Sequence, residues 1–338
     1  MDTEVLRKWV RKSNPEWLLE EVVVEIVRGA DLCVRENYVP TRSANTRYAF
    51  IKGKWVIDTI ALGILQGIYC GPFDDCQKIV KDLFNDNNFR SKVNMSGVNS
   101  INWSRIVCQI VYYFYSYFKL KKNNISFSVP TGNFGDVYAG YIAKKMGLPI
   151  NKLIVATNEN DILEKVINTG EYKPEKVKPS ISPSMDIQVA SNFERLLFYV
   201  VGQDDQKVSL LMNNLTKKGF FRLDQNEIQE IKKDFEAIKI DDETTRLIIK
   251  NINDEYKFII DPHTATGIGA AKKVKHLENI VVIGTAHPFK FNDTVKKATG
   301  KNLEAPSHLK MNIDKEEKFD IIENSNLEAK NYILSKVL

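Results

Sequence analysis

A buried strand, a tight glycine loop and the start of a helix follow one another in the stretch from Ser126 to Gly140, SFSVPTGNFGDVYAG. Gly132 and Gly135 allow backbone conformations that other residues avoid, and they let a bulky ligand approach the main chain. The N-terminus of the following helix presents free N–H groups and a partial positive charge. This stretch therefore predicts an anion-binding loop suited to a phosphate, although glycine also serves strand–helix turns for purely geometric reasons.

Helices and strands are predicted to alternate around this loop. A helix is expected from Asp136 to Lys145, followed by an apolar strand from Leu153 to Thr157. The apolar character of the strand and the helix–strand–helix–strand order predict a doubly wound α/β layer. Asn158 comes just after this strand, where ligands collect in open α/β sheets, but Asn158 or Asp161 could equally cap the next helix.

Hydrophobic periodicity predicts further elements along the chain. They are an amphipathic helix at Phe73–Phe89, a long helix at Trp103–Phe118, strands at Ile125–Val129, Phe220–Leu223, Tyr256–Ile260 and Asn279–Ile283, and a small-residue helix that ends at Lys272. The tyrosines of the long helix are expected to serve packing rather than ligand stacking.

The composition argues against several classes of function. The net charge of +5 is small beside 48 basic and 43 acidic side chains, so no nucleic-acid partner is predicted. The apolar run from Trp55 to Tyr69 contains Asp58 and is shorter than the roughly twenty residues that span a bilayer, so no membrane segment is predicted. Four cysteines without C-x-x-C spacing favour free thiols and a cytoplasmic location. No metal is predicted, because the histidines are scattered; His263 and His287 are expected to be satisfied loop histidines.

Five motifs resemble, in the same order, motifs of the pyridoxal-phosphate-dependent threonine synthases and threonine synthase-like proteins. They are Val98–Arg105, Pro130–Asp136, Ala156–Ile162, Met185–Gln188 with Ser191–Arg195, and Gly284–Pro288. The resemblance begins at about Phe73 and continues to the C-terminus. It implies a doubly wound, mostly parallel α/β sheet of the tryptophan synthase β-like kind, fold type II, incomplete at its N-terminus.

The resemblance also implies a cofactor and its contacts. The phosphate of pyridoxal 5'-phosphate would be held by the backbone around Gly132, Asn133, Phe134, Gly135 and Asp136. Thr285 would offer its hydroxyl to the pyridine nitrogen, and a neutral group there moderates the electron sink, which suits elimination and replacement chemistry. The implied substrate-binding residues are Asn99, Ser100, Asn102, Arg105 and Asn158. Arg105 could alternatively pair with an acid at a helix start.

The implied reaction removes phosphate from O-phosphohomoserine, a small phosphorylated amino acid, and gives threonine or 2-oxobutanoate plus ammonia. A monomer or homodimer is expected. Two segments of the family have no counterpart upstream of Phe73: the Phe-Lys-Asp segment, whose lysine forms the Schiff base, and the Ser-Gly-Asp-Thr-Gly loop. Lys52 is the lysine whose surrounding sequence is most similar to the first of them. The catalytic lysine is therefore unidentified, and the alternative is a catalytically inactive protein that binds the cofactor.

Four segments are predicted. Residues 1–72 form a segment that is either divergent or translated from a shifted reading frame, and residues 73–202 form the α/β cofactor domain with the phosphate loop. Residues 203–253 form a charged helical subdomain, and residues 254–338 complete the cofactor domain.

Overall fold

The structure is a computed structural model that describes residues 79–80, 82–93, 95, 102–306, 322 and 324–337, with the backbone of two strands at 48–51 and 54–57. The chain divides into two compact units. The described part of the first is 103–303, and the second contains the described residues among 32–102 and 304–338. Lys52 lies outside the described residues. Within them, no helix is long and apolar enough to cross a membrane.

The described strands and helices are as follows. The strands are β1 (Tyr48–Ile51), β2 (Lys54–Ile57), β3 (Ile125–Pro130), β4 (Ile150–Thr157), β5 (Glu171–Tyr172), β6 (Phe221–Arg222), β7 (Phe235–Lys239) and β8 (Ile280–Val282). The helices are α1 (Asn87–Val93), α2 (Trp103–Leu120), α3 (Gly135–Lys145), α4 (Ile162–Thr169), α5 (Phe193–Val200), α6 (Asp205–Lys218), α7 (Gln225–Asp234), α8 (Asp242–Tyr256), α9 (Pro262–Lys273), α10 (Asn292–Thr299) and α11 (Asn326–Val337).

A parallel sheet forms the centre of the first unit. In the described part of the chain its strand order is β7-β4-β3-β8, and every neighbouring pair is parallel. All residues of β3 are buried, including Ser126 and Ser128, as expected of an inner strand of a parallel sheet that is covered on both faces. Because the strands are parallel, their carboxyl ends meet at one edge of the sheet, and the glycine loop follows β3 at this edge. The predicted parallel α/β architecture is confirmed.

Alternate residues of β4 face opposite sides of the sheet. Leu153 and Val155 belong to the large core that α2 and α3 help to build. Ile154 and Ala156 belong to a separate core, which they share with Ala270 of α9. The apolar run in β4 thus supplies two cores at once, and helices cover both faces of the sheet.

Helix α2 packs against α3 through one close approach. Tyr113 is fully buried, and its ring meets Phe127 of β3 edge-on at 4.8 Å between centroids. Gly140 provides the space for the Tyr113 ring, because a Cβ there would lie 2.5 Å from Tyr113 Cε1. The tyrosines of α2 divide between core and surface, since Tyr112 and Tyr115 are more than half exposed.

The predicted strand at Tyr256–Ile260 is wrong. Helix α8 continues to Tyr256 and is ended by Lys257 in a left-handed conformation, φ 55°. The alternation that suggested a strand does not reflect a buried face, because Tyr256 and Phe258 are both 64% exposed while Ile260 is buried. The predicted strand at Phe220–Leu223 is confirmed as β6, which pairs antiparallel with β5.

The predicted segment 203–253 contributes to the central sheet. Strand β7 lies within it and pairs with β4 from Leu153↔Phe235 to Thr157↔Lys239. Residues 304–338 group with the second unit and residues 254–303 with the first. The boundaries at 72, 202 and 253 remain predictions, but the sheet crosses two of them.

The second unit contains helical residues 79–80 and 82–85, α1, α11 and the antiparallel pair of strands β1 and β2. Leu83, Phe89 and Ile333 are among the residues of its core. Lys330 of α11 forms an ion pair with Asp86, which precedes α1. The predicted helix at Phe73–Phe89 is described only from residue 79, where it is interrupted at Asp86.

We expect Gly140→Ala to destabilise the first unit. The new Cβ would meet Tyr113 and Leu153, which are both fully buried and cannot move into solvent. Alanine gains roughly 1 kcal/mol over glycine in helix propensity, and the clash outweighs this gain. The net free energy of unfolding, measured by urea denaturation, should therefore fall by about 1–2 kcal/mol. The matched control is Asn213→Ala at an exposed site of α6, which should change stability by less than about 0.5 kcal/mol. A Gly140→Ala protein as stable as the parent would contradict this packing.

Candidate functional site

The glycine loop turns sharply at Phe134. This residue has φ 65° and ψ 6°, a left-handed conformation that non-glycine residues avoid. Its side chain is fully buried, with ring centroids 5.3 Å from Phe193 and 5.6 Å from Phe235. At the start of the loop, the Thr131 N–H donates to the Ala156 carbonyl at 2.8 Å, which ties the loop to β4. The loop is therefore fixed at both ends by buried contacts.

Helix α3 begins without a side-chain cap. Phe134 occupies the N-cap position and supplies no side-chain hydrogen bond, and Tyr138 N–H donates to the Phe134 carbonyl at 3.1 Å. The N–H groups of Gly135, Asp136 and Val137 thus precede the first intrahelical donor and have no acceptor within the helix, as at the start of every helix. These donors and the positive end of the helix dipole suit an anion. The sequence from Thr131 to Val137 contains no Lys or Arg, so the backbone provides the attraction.

The segment around Ser184 forms the wall behind the loop. A Cβ at Gly132 would lie 2.7 Å from the Ser184 carbonyl oxygen and 3.0 Å from Ile187 Cδ1. Close backbone packing therefore requires glycine at this position. On the other side, the Asn133 carbonyl accepts hydrogen bonds from the Asn192 N–H at 3.2 Å and the Asn192 Nδ2 at 3.0 Å.

His263 holds this wall in place. Its ring is 2% exposed; Nδ1 lies 3.0 Å from Asp261 Oδ1, and Nε2 accepts the Ser184 N–H at 3.2 Å. An acceptor at Nε2 fixes the proton on Nδ1, which then donates to Asp261. The prediction of a satisfied histidine is confirmed, but His263 lies in the first turn of α9 rather than in a loop. His287 is exposed, and its Nδ1 accepts the Phe289 N–H at 3.2 Å.

Asn158 lies in a buried polar cluster at the carboxyl end of β4. It is 1% exposed, and its Nδ2 is 2.7 Å from Ser180 Oγ, 3.0 Å from Ser182 Oγ and 2.8 Å from Asp186 Oδ1. Its Oδ1 accepts the Asn160 N–H at 2.9 Å. The amide of Asn158 is thus engaged within the protein, and it fixes the same wall segment that packs on the loop.

Neither predicted capping contact at α4 is present. Asp161 occupies the N-cap position, but its side chain makes no capping hydrogen bond. It pairs instead with Lys165 at 3.1 Å and Lys239 at 3.0 Å. Because Lys239 is the last residue of β7, this ion pair ties α4 to the neighbouring strand.

Asp136 is the one acidic residue of the loop, and it faces α2. The Tyr113 hydroxyl lies 2.8 Å from the Asp136 carbonyl oxygen and 3.0 Å from its Oδ1. Burial raises the pKa of Asp136 to about 6, although the Tyr113 hydrogen bond and the charge of Arg105 both lower it. Arg105 thus acts on an acid in the first turn of α3, which is the alternative to its predicted substrate role.

The remaining predicted residues lie at two places. Thr285 is exposed and follows β8. Ser128 pairs with Val282, and Thr285 comes three residues after Val282, just as Thr131 comes three residues after Ser128. Both therefore leave the sheet at the same edge. Asn102 is partly buried, and Asn99 and Ser100 lie outside the described residues. The roles of these residues as ligand contacts stay predictions.

The chain is similar to threonine synthases over most of its length. The family model "Threonine synthase, C-terminal" matches residues 264–333. The threonine synthase of Pseudomonas aeruginosa is 42% identical over 259 residues, which cover 75% of this chain and 55% of that relative. That of Saccharomyces cerevisiae is 44% identical over 251 residues, covering 68% and 49%. The chain spans about half the length of the curated relatives that it matches.

Solved structures give the same result. The pyridoxal-phosphate-bound threonine synthase from Brucella melitensis matches with a TM-score of 0.71 and 42% identity, over 79% of this chain and 58% of that one. The yeast enzyme matches with a TM-score of 0.68 and 40% identity over the same shares. The matched part of the chain thus has the fold of the fold type II class of pyridoxal-phosphate-dependent proteins. More narrowly, it belongs to the threonine synthase family, as the order of its motifs predicted.

Replacing Gly132 with alanine should disrupt the loop. The added Cβ would meet the Ser184 main chain, so the loop must shift and its N–H groups lose their common direction. We expect the affinity for inorganic phosphate, measured by isothermal titration calorimetry, to fall about tenfold or more. Gly284→Ala is the control, since a Cβ there has Thr264 Oγ1 at 3.8 Å as its nearest neighbour. Equal affinities of the two variants would contradict the proposed geometry.

Removing the acceptor of Ser184 should loosen the wall. His263→Phe keeps an aromatic ring beside Phe291, whose centroid is 4.7 Å away, but leaves the Ser184 N–H without its partner. Because Ser184 is exposed, its freed N–H would turn to solvent, and amide hydrogen exchange at Ser184 should accelerate about tenfold or more. His276→Phe, at an exposed site, is the control. Unchanged exchange at Ser184 in His263→Phe would show that this hydrogen bond does not hold the segment.

Proposed function

We propose that the glycine loop binds the phosphate of pyridoxal 5'-phosphate, and that this chain supplies part of a threonine synthase-like lyase that acts on O-phosphohomoserine. The observation that carries this proposal is the uncapped N-terminus of α3 at the carboxyl edge of a parallel sheet. Its N–H donors fit a phosphate, and the loop carries no cationic side chain of its own. The similarity to a threonine synthase solved with this cofactor supports the same assignment.

The residues have distinct roles in this proposal. The N–H groups of Gly135, Asp136 and Val137 hold the cofactor phosphate, while Gly132 allows the loop to lie flat against its wall. Thr285 offers its hydroxyl to the pyridine nitrogen from the end of β8. Bound there, pyridoxal phosphate supplies the electron sink that removal of phosphate from the substrate requires.

The substrate in this proposal is a small phosphorylated amino acid, and its products are threonine or 2-oxobutanoate with ammonia. Asn99, Ser100, Asn102 and Arg105 are its proposed contacts. For Asn158 a positioning role has stronger support, because its amide is already engaged by Ser180, Ser182 and Asp186. A cytoplasmic location and a monomeric or homodimeric state belong to the same proposal.

Spectroscopy of the purified chain with pyridoxal phosphate tests cofactor binding. We expect a visible absorbance band that survives dialysis, and borohydride reduction followed by peptide mapping should identify a single modified lysine. Gly132→Ala should lose the band and Gly284→Ala should keep it, which would assign the binding to the loop. A band that dialysis removes from the parent chain would contradict tight binding.

Product analysis then separates the enzyme from its alternative. With O-phosphohomoserine, the loaded chain should release inorganic phosphate together with threonine or 2-oxobutanoate. Retained cofactor without a modified lysine and without phosphate release would favour the alternative, a catalytically inactive protein that binds pyridoxal phosphate non-covalently.

A further inference from the structure

Tyr113 and Asp136 make two close oxygen–oxygen contacts, but the tyrosine hydroxyl has a proton for only one of them. The tyrosine hydroxyl carries one proton, yet it lies within hydrogen-bond distance of two Asp136 oxygen atoms, the carbonyl at 2.8 Å and Oδ1 at 3.0 Å. A backbone carbonyl can only accept, so the hydroxyl proton belongs most naturally on that side. A protonated Asp136 carboxyl would supply its own proton for the contact between Oδ1 and the tyrosine hydroxyl. An ionised carboxylate would instead have to share the single hydroxyl proton with the carbonyl oxygen.

The position of Asp136 makes its charge matter to a ligand. It is the second residue of α3, and its own N–H is one of the donors at the helix start. A carboxylate there is held by the same positive helix end that an external anion would use. Any anion on these N–H groups lies well within the ~10 Å over which charges interact at ordinary salt. The carboxylate and the ligand therefore compete.

We propose that anion binding at the glycine loop is coupled to proton uptake by the Asp136 carboxyl, with Tyr113 as the positioning residue. This inference rests on the proposed function, because it assumes that the loop binds a phosphate. The neutral acid removes a repulsive charge beside the ligand and completes both contacts to the tyrosine hydroxyl.

The surroundings of Asp136 support this assignment. In the part of the chain that the structure describes, the groups acting on its carboxyl are Tyr113 and Arg105, both on α2. Burial raises the pKa of Asp136 to about 6, so the proton is gained or lost near neutral pH. The charged or titratable side chains on the other elements that pack against α3 include Glu194, Arg195 and Tyr199 on α5 and Lys152 on β4. Asp234 of α7 pairs with Lys144 and Lys145 at the C-terminal end of α3.

Those other groups have different partners. Arg195 and Tyr199 act on Tyr138, two residues further along α3. The Lys152 Nζ donates to the carbonyls of Lys232 and Lys233, at the far end of β4. Glu194 is exposed.

The sign of the pH dependence follows from the pKa of the free protein. Below about pH 6 Asp136 is already protonated, and anion affinity should not vary with its charge. A bound anion raises the pKa of Asp136 further, because like charges disfavour the carboxylate. At pH values between the pKa of Asp136 in the free protein and its pKa in the anion-bound protein, binding takes up a proton. In this range the affinity for the anion falls as the pH rises. Each unit of difference between the two pKa values corresponds to about a tenfold loss of affinity.

Inorganic sulfate is the probe, because it remains a dianion across the range tested, whereas phosphate titrates near the same pH as Asp136. Its affinity can be measured between pH 5 and 9 from the amide chemical shifts of Gly135, Asp136 and Val137. The parent chain should bind about tenfold or more weakly at the alkaline end. Asp136→Asn should bind with nearly constant affinity and more tightly than the parent at high pH. Asp205→Asn, which removes an exposed first-turn acid from α6, should keep the parent's slope.

Each outcome decides between the hypotheses. A slope in the parent that Asp136→Asn abolishes supports coupling, and an equal slope in both proteins overturns it while anion binding stands. Sulfate that shifts none of these amides at any pH overturns the anion site itself, and the coupling with it.

A second measurement does not depend on the variant folding. The carboxyl carbon of Asp136 in the ¹³C-labelled parent chain can be titrated with and without sulfate. We expect saturating sulfate to raise the pKa of Asp136 by about one unit. An identical titration in both conditions would overturn the coupling.

Discussion

The site depends on the left-handed turn at Phe134. A non-glycine residue in this conformation costs on the order of 1–2 kcal/mol, so it persists only where its surroundings stabilise it. Here the ring is completely buried between Phe193 and Phe235, and burial of such a ring contributes roughly 1.5–3 kcal/mol. The aromatic contacts thus offset the backbone strain of the turn at which α3 begins.

Motifs that are far apart in sequence meet around this turn. Gly132 packs on Ser184, Asn133 is bonded by Asn192, and Ser184 is bonded by His263. Asn158 at the end of β4 bonds Asp186 on the same wall segment. These contacts join the motifs to one another and so position the loop. This explains why the pattern extends over most of the chain although the loop itself is short.

Hydrophobic period and glycine placement were enough to predict the sheet and the loop. Burial on both faces gives β4 a continuous apolar run from Leu153 to Ala156, and the glycines mark the turn between β3 and the helix that follows the loop. The strand predicted at Tyr256–Ile260 was wrong because apolar residues are also spaced along an exposed helix end and the segment after it. The positioning role of His263 could not be seen locally, since its partner Ser184 is 79 residues away and the bond depends on tertiary structure. The Asp-Pro-His-Thr sequence offered a partial signal, an acid two residues before a histidine at a helix start.

The electrostatic design of the loop relies on dipoles rather than on charged side chains. No Lys or Arg lies between Thr131 and Val137, and the nearest acid, Asp136, opposes an incoming anion unless it is neutral. Arg105 on α2 works against the effect of burial, because its charge lowers the pKa of Asp136 and favours the carboxylate, whereas burial raises the pKa and favours the neutral acid. These opposing influences leave the pKa of Asp136 at about 6, within reach of neutral pH. A group so poised responds to a modest new charge, whereas an exposed acid with an ordinary pKa would remain ionised with or without a ligand.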